Sequence, residues 1–175
     1  MDTNFYIAQA MSIISIIIAV IGLQQKEKNK IVLFMGISNV FVTLSYFFLK
    51  ANTGFYLMIV ATLRMFIFYY IGTKKNFNKV LSVLILLFFE ILQICTSIYS
   101  WEGLITLLTL SGFLIYTYGC WQKNKNFLLI TNIYLSICNI IYSVFSKAYF
   151  NILLEVILIC ASIYPLIKSN KKGKK

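Results

Sequence analysis

Gln25-Lys26-Glu27-Lys28-Asn29 returns 97 residues later as Gln122-Lys123-Asn124-Lys125-Asn126. The same offset carries Lys50-Ala51 to Lys147-Ala148 and Lys74-Lys75 to Lys171-Lys172. Between these basic markers both copies hold apolar runs of matching length. A helix-sized unit repeated in register predicts two similar helical bundles.

The solvent around those bundles follows from composition. The chain of 175 residues is 60% hydrophobic, 17% aromatic and only 12% charged, with a mean hydropathy of +0.83. A soluble domain is about a quarter charged. So much apolar surface has no hiding place in a water-soluble fold of this size, so lipid is the expected solvent. The net charge of +11 raises nucleic-acid binding, but the lysines lie in short clusters at the ends of apolar runs, so no nucleic-acid partner is expected. The chain has no histidine, and Cys95, Cys120, Cys138 and Cys160 lack metal-ligand spacing. They read as small buried apolar residues, and neither a metal nor another cofactor is expected. The start of the chain lacks a basic region and a small-residue cleavage site, so the first apolar run is expected to stay as a span.

A span needs about 20 mostly apolar residues. Seven are read: Phe5–Leu23, Ile31–Leu49, Gly54–Ile71, Val80–Tyr99, Gly103–Trp121, Phe127–Phe145 and Tyr149–Ile167. Their length and lack of strict alternation argue against a β-barrel. Thirteen lysines fall in loops one-two, three-four, five-six and the C-terminal tail, against Lys50 and Lys147 in loops two-three and six-seven. This bias predicts the N-terminus outside and the C-terminus in the cytoplasm, and an odd number of spans satisfies it. The tail Lys168–Lys175 is read as an anchor at an anionic lipid surface. Trp101 with Tyr99, and Trp121, sit where interfacial anchors belong. The expected fold is therefore an all-α single membrane domain over 1–175. Repeat one covers 5–75, a linker helix 80–99, and repeat two 103–172. Three spans alone would invert the second copy. A fourth crossing restores it, making the repeats parallel about an axis along the membrane normal.

Inside the spans, Asn132, Ser136, Asn139 and Ser143 form one helical stripe. The corresponding face of span two carries Met35, Asn39, Val42 and Tyr46. Such a stripe either lines a path for a small polar solute or joins helices by hydrogen bonds. Span one turns Ala8, Ser12, Ser15, Ala19 and Gly22 to one side, a packing face. Arg64, Glu90 and Glu155 are ionisable groups within spans, each requiring a partner or water. Glu155 continues a stripe with Asn151 and Ser162, and Glu90 one with Gln93 and Ser97. Arg64 is expected to pair with one of the two acids, leaving the other for proton coupling or a static role. Pro165 is expected to kink or end the last helix. No nucleophile–base pair, phosphate loop or metalloprotease motif occurs, so no enzyme activity is expected.

Ala8-Gln9 opening span one, the basic loop after Gln24-Gln25, Leu63-Arg64 in span three and Glu155 in span seven are similar to the YgjV family of bacterial inner-membrane proteins. The arrangement of three, one and three spans resembles, more distantly, the SWEET sugar transporters and PQ-loop proteins. The resemblance implies a multi-pass protein of the bacterial plasma membrane; solute transport enters only by analogy of fold. Two departures stand out: no proline precedes Gln24-Gln25 or Gln122, and Ala61 occupies a place where YgjV-like chains often carry asparagine.

The sequence thus points to passage or binding of a small polar solute in a cleft between the repeats. Asn39, Asn132, Ser136 and Asn139 would contact it; Arg64 with Glu90 or Glu155 would gate or couple. The rival is a membrane interaction or regulatory protein without transport. Expected partners are the lipid bilayer, a small polar solute and a second copy of the chain.

Overall fold

The computed structural model describes residues 3–48, 52–74, 77–99, 101, 103–145 and 149–172. Lys50-Ala51, Lys75 and Lys147-Ala148 lie outside the described residues, as do the side chains of Ser143, Asn151, Lys171 and Lys172 and all of residues 173–175. The described residues form seven α-helices: α1 Thr3–Leu23, α2 Lys28–Phe48, α3 Asn52–Thr73, α4 Lys79–Tyr99, α5 Leu104–Trp121, α6 Lys125–Phe145 and α7 Tyr149–Lys172. The described residues of each apolar run read from the sequence are helical, apart from Gly103. Four stretches among the described residues are long and apolar enough to cross a membrane: Asn4–Leu23, Lys28–Phe48, Lys79–Tyr99 and Leu104–Trp121.

Helix ends follow local chemistry. Asn78 Oδ1 accepts from the Val80 backbone N–H at 2.9 Å, and Asn124 Oδ1 accepts from Asn126 N–H at 2.9 Å. These side chains satisfy donors that the first turns of α4 and α6 cannot satisfy internally. Gly103, at φ +97, holds the left-handed turn before α5, a conformation that costs other residues more. Pro165 neither ends α7 nor confines it, since the helix runs on to Lys172. Its missing N–H removes one bond late in the helix, a loss that membrane helices tolerate.

The chain divides into two compact units, Met1–Thr73 and Lys74–Lys175. In the first, α2 packs against both α1 and α3. Ala8, Ser15, Ala19 and Leu23 are buried on α1. Hydroxyl pairs bridge the α1–α2 seam, Ser15 with Ser38 and Ser12 with Ser45, each at 2.9 Å. Span one's small-residue face is thus a packing surface. Asn29 Nδ2 donates to the Gly72 carbonyl at 2.6 Å, tying the start of α2 to the end of α3. In the second unit α4 packs on α5, α5 on α6, and α6 on α7.

Glycines set how closely these helices approach. A Cβ built on Gly22 would stand 2.5 Å from Phe34 Cβ, and one on Gly119 would stand 2.1 Å from Thr131 Oγ1 and 3.0 Å from Thr131 Cβ. Adding 97 to Gly22 and Phe34 gives Gly119 and Thr131. The Ser15–Ser38 contact maps in the same way onto Gly112 and Leu135, whose Cδ1 lies 3.2 Å from a Cβ built on Gly112. The α1–α2 and α5–α6 hairpins therefore cross at corresponding residues.

Cys120 and Cys138 are buried, whereas Cys95 and Cys160 are exposed, which corrects the expectation that all four are interior. An apolar side chain in lipid gains nothing from reaching the protein core, so apolarity does not predict interior position there. Tyr99, the last residue of α4, and Trp101 just beyond it are exposed, as anchors require. Trp121 is turned inward, its indole N–H donating to Ser82 Oγ.

Gly119→Ala should lower the unfolding temperature of the detergent-solubilised protein, by an overpacking cost of about 1–3 kcal/mol. Thr131→Ala in the same chain should restore most of the loss, because it removes Oγ1 and Cγ2, two of the three nearest atoms, and leaves only Cβ near the new methyl; equal losses in the single and double variants would refute that contact.

Candidate functional site

The polar stripe of α6 meets the polar stripe of α7. Asn132 Nδ2 donates to Ser162 Oγ at 3.0 Å, and Ser162 in turn donates to the Leu158 carbonyl at 2.9 Å. Two turns along both helices, Asn139 Nδ2 donates to Glu155 Oε1 at 2.8 Å. Ser136 stands between the two rungs on the same face of α6 and is buried. The two helices run antiparallel, so equal steps in opposite directions bring 132 to 162 and 139 to 155. The result is a two-rung ladder built from residues at helical spacing.

The rungs differ in access. Asn132, Ser136 and Ser162 are buried, at 3%, 2% and 0% exposure. Asn139 and Glu155 are half-buried. The first rung is closed: its donor and acceptor satisfy each other inside the helix pair. The second leaves atoms over. With one amide N–H given to Glu155, Asn139 retains its Oδ1, and the carboxylate retains acceptor capacity on both oxygens.

A second polar seam joins α4 to α5. Gln93 is buried and its Oε1 accepts from Thr117 Oγ1 at 3.0 Å. Glu90, one turn before Gln93, is half-buried. Sequence reasoning missed Thr117. Its counterpart at the 97-residue offset is Val20, so the repeat gives no hint of it.

The remaining predicted site residues lie in the first unit. Arg64 is the largest fully buried side chain, at 1% exposure, on a face of α3 shared with Ala61, Met65 and Phe68. Glycine at position 36 lets α2 come close there: a Cβ built on Gly36 would stand 3.2 Å from Met65 Cβ. That register places Asn39 and Arg64 within about one helical turn of the same level. Asn39 is half-buried, and its carbonyl accepts from Thr43 Oγ1 at 2.8 Å. Thr43 also reaches Thr62 of α3 at 3.4 Å. A buried guanidinium is costly unless hydrogen-bonded or paired, so the interior around Arg64 is a polar exception within an apolar face. The structure thus brings Asn132, Ser136, Asn139 and Glu155 together on one helix pair. Asn39 and Arg64 occupy neighbouring helices of the other unit.

A family model described as a bacterial inner membrane protein, Imp-YgjV, matches residues 6–172. The chain belongs to the YgjV family of bacterial inner membrane proteins. Membership covers nearly the whole length and gives the exposed apolar side chains their solvent. Leu84, Phe88, Ile91 and Ile98 form one exposed ridge along α4, as a helix bordering hydrocarbon should. No curated protein and no solved structure matches the chain.

Asn132→Ala and Ser162→Ala should each destabilise the solubilised protein by about 0.6–2 kcal/mol. The double variant should cost less than the sum of the two, because each single change already breaks the shared bond. Strict additivity of unfolding temperatures would refute the bond.

Proposed function

We propose that this inner-membrane protein binds and passes a small polar solute, with the half-buried Asn139–Glu155 rung as its contact. One observation carries the reading: a carboxylate in the second turn of α7, that of Glu155, is held by Asn139 of the neighbouring helix and remains partly accessible. Intramembrane acids are expensive and mark solute or ion paths more often than structural contacts. Asn132 and Ser136 then support the contact by fixing α6 against α7. Asn39 is the further solute contact proposed on α2. Arg64 is the gating or coupling group proposed in the first unit, and Glu90 or Glu155 that in the second. In this scheme all seven helices cross the bilayer, as two three-helix repeats with α4 as the added crossing. The matching Gly22–Phe34 and Gly119–Thr131 contacts support a doubled hairpin.

The lysine distribution supports an orientation with the N-terminus outside and the C-terminus cytoplasmic. A reporter that works only in the cytoplasm should be active at the C-terminus and inactive in the loop around 147. Activity at both places would reject the proposed orientation.

A second reading is favoured by the closed Asn132–Ser162 rung. Paired polar groups are what an interaction or regulatory protein needs to hold one helix arrangement. The two readings part in proteoliposomes screened with a panel of small polar solutes. Solute uptake by the wild type should fall at least tenfold in Glu155→Gln and Asn139→Ala, while Asn132→Ala should keep more than half. Uptake unchanged in both Glu155→Gln and Asn139→Ala would remove the assignment. Co-purification with one stable protein partner, without uptake of any solute, would favour the second reading.

A further inference from the structure

We propose that the Asn139–Glu155 rung is a binding site for a small primary amine, taken up as its ammonium ion; this rests on the solute-binding reading above and names the class of solute.

Three observations lead there. The first is charge. Glu155 sits in the second turn of α7, and its hydrogen-bond partner, Asn139, is neutral. The Lys30–Glu27 ion pair lies elsewhere, on the surface, and the contact made to Glu155 comes from a neutral amide. An ionised carboxylate held by neutral donors in a membrane interior lacks a compensating charge, and a cationic ligand supplies it.

The second is the acceptor set. The amide N–H of Asn139 is spent on Glu155 Oε1. That leaves Asn139 Oδ1 and the lone pairs of the carboxylate, a small group of acceptors. A primary ammonium carries three N–H donors and no acceptor, so it complements such a group. A hard metal cation is a poorer fit because it asks for about six oxygens. The backbone carbonyls of α6 and α7 are engaged in their own helices, which run unbroken past this point.

The third is access. Both residues of the rung are half-buried, whereas Asn132 and Ser162 are sealed. The stripe that looks uniform in sequence is thus divided into a fastening at one level and an open pair at the other.

The test is thermal unfolding of the full chain in detergent, titrated with methylammonium chloride and, at equal ionic strength, with sodium chloride or tetramethylammonium chloride. The expected result is a saturable rise with methylammonium, about 3–6 °C at ten times the half-saturating concentration. Tetramethylammonium has the charge but no N–H, and should give less than a third of the rise. Glu155→Gln should abolish the response, and Asn139→Leu should weaken half-saturation at least tenfold. Ser15→Ala, which breaks the hydroxyl pair between α1 and α2, should keep the wild-type response although less stable. If Glu155→Gln does not fold, the contrast between methylammonium and tetramethylammonium in the wild type decides alone. Equal rises with all three salts would overturn the proposal, as would a response that survives Glu155→Gln. A saturable rise with sodium alone would also overturn it, in favour of an alkali-ion site. Unfolding needs no transport, so loss of uptake with an intact methylammonium response would reject passage while leaving the binding site standing.

Discussion

Close approach of helix backbones is the constraint on which the rest of this protein depends. In hydrocarbon, apolar side chains gain nothing by leaving lipid for one another, so helices associate through packing and hydrogen bonds. Gly22 against Phe34 and Gly119 against Thr131 bring two hairpins to contact distance. Once the backbones are that near, short side chains suffice to bond across the seam. Ser12, Ser15, Ser38 and Ser45 do so in the first unit. Residues with longer side chains at these places would hold the helices apart and leave the same hydroxyls without partners.

The polar groups of the interior then fall into two kinds. Most are fastenings: Gln93 with Thr117, Trp121 with Ser82, Asn132 with Ser162. Each satisfies a donor that would otherwise cost free energy away from water, and each fixes the register of one helix pair. The Asn139–Glu155 pair is chemically different because it contains an ionisable carboxyl group and retains acceptors on a half-buried surface. Function is sought there because fastening alone does not require a carboxylate; a second amide or hydroxyl would hold the helices at lower desolvation cost.

Charge outside the spans is segregated just as sharply. Thirteen lysines lie in the loops and tail read as cytoplasmic, with Glu27 as the acid among them, while Lys50 and Lys147 are balanced by Asp2 and Glu102 on the other side. In the proposed topology net positive charge collects on one side of the bilayer. It bears on insertion and orientation rather than on the fold of either unit, which rests on the seams inside.

Much of the architecture is legible in the chain itself. Runs of membrane length, with lysines and asparagines between them, mark where each helix begins and ends, because a backbone in lipid has few alternatives to the helix. The 97-residue offset foretells that Gly119 repeats the role of Gly22, and helical spacing places Asn132, Ser136 and Asn139 on one side of α6. Pattern alone misled at Cys95 and Cys160, since lipid accepts an apolar residue as readily as a core does; of the two outcomes expected at Pro165, a kink or an end, the end does not occur, as α7 runs on to Lys172. Pairing was beyond the sequence. Which polar residue faces which depends on the relative rotation and shift of two helices, set by side-chain contacts far apart in the chain. Only the tertiary structure joins Asn132 to Ser162 and Asn139 to Glu155. Only it seals the first pair while leaving the second half open, because burial belongs to a packed neighbour and not to a residue type.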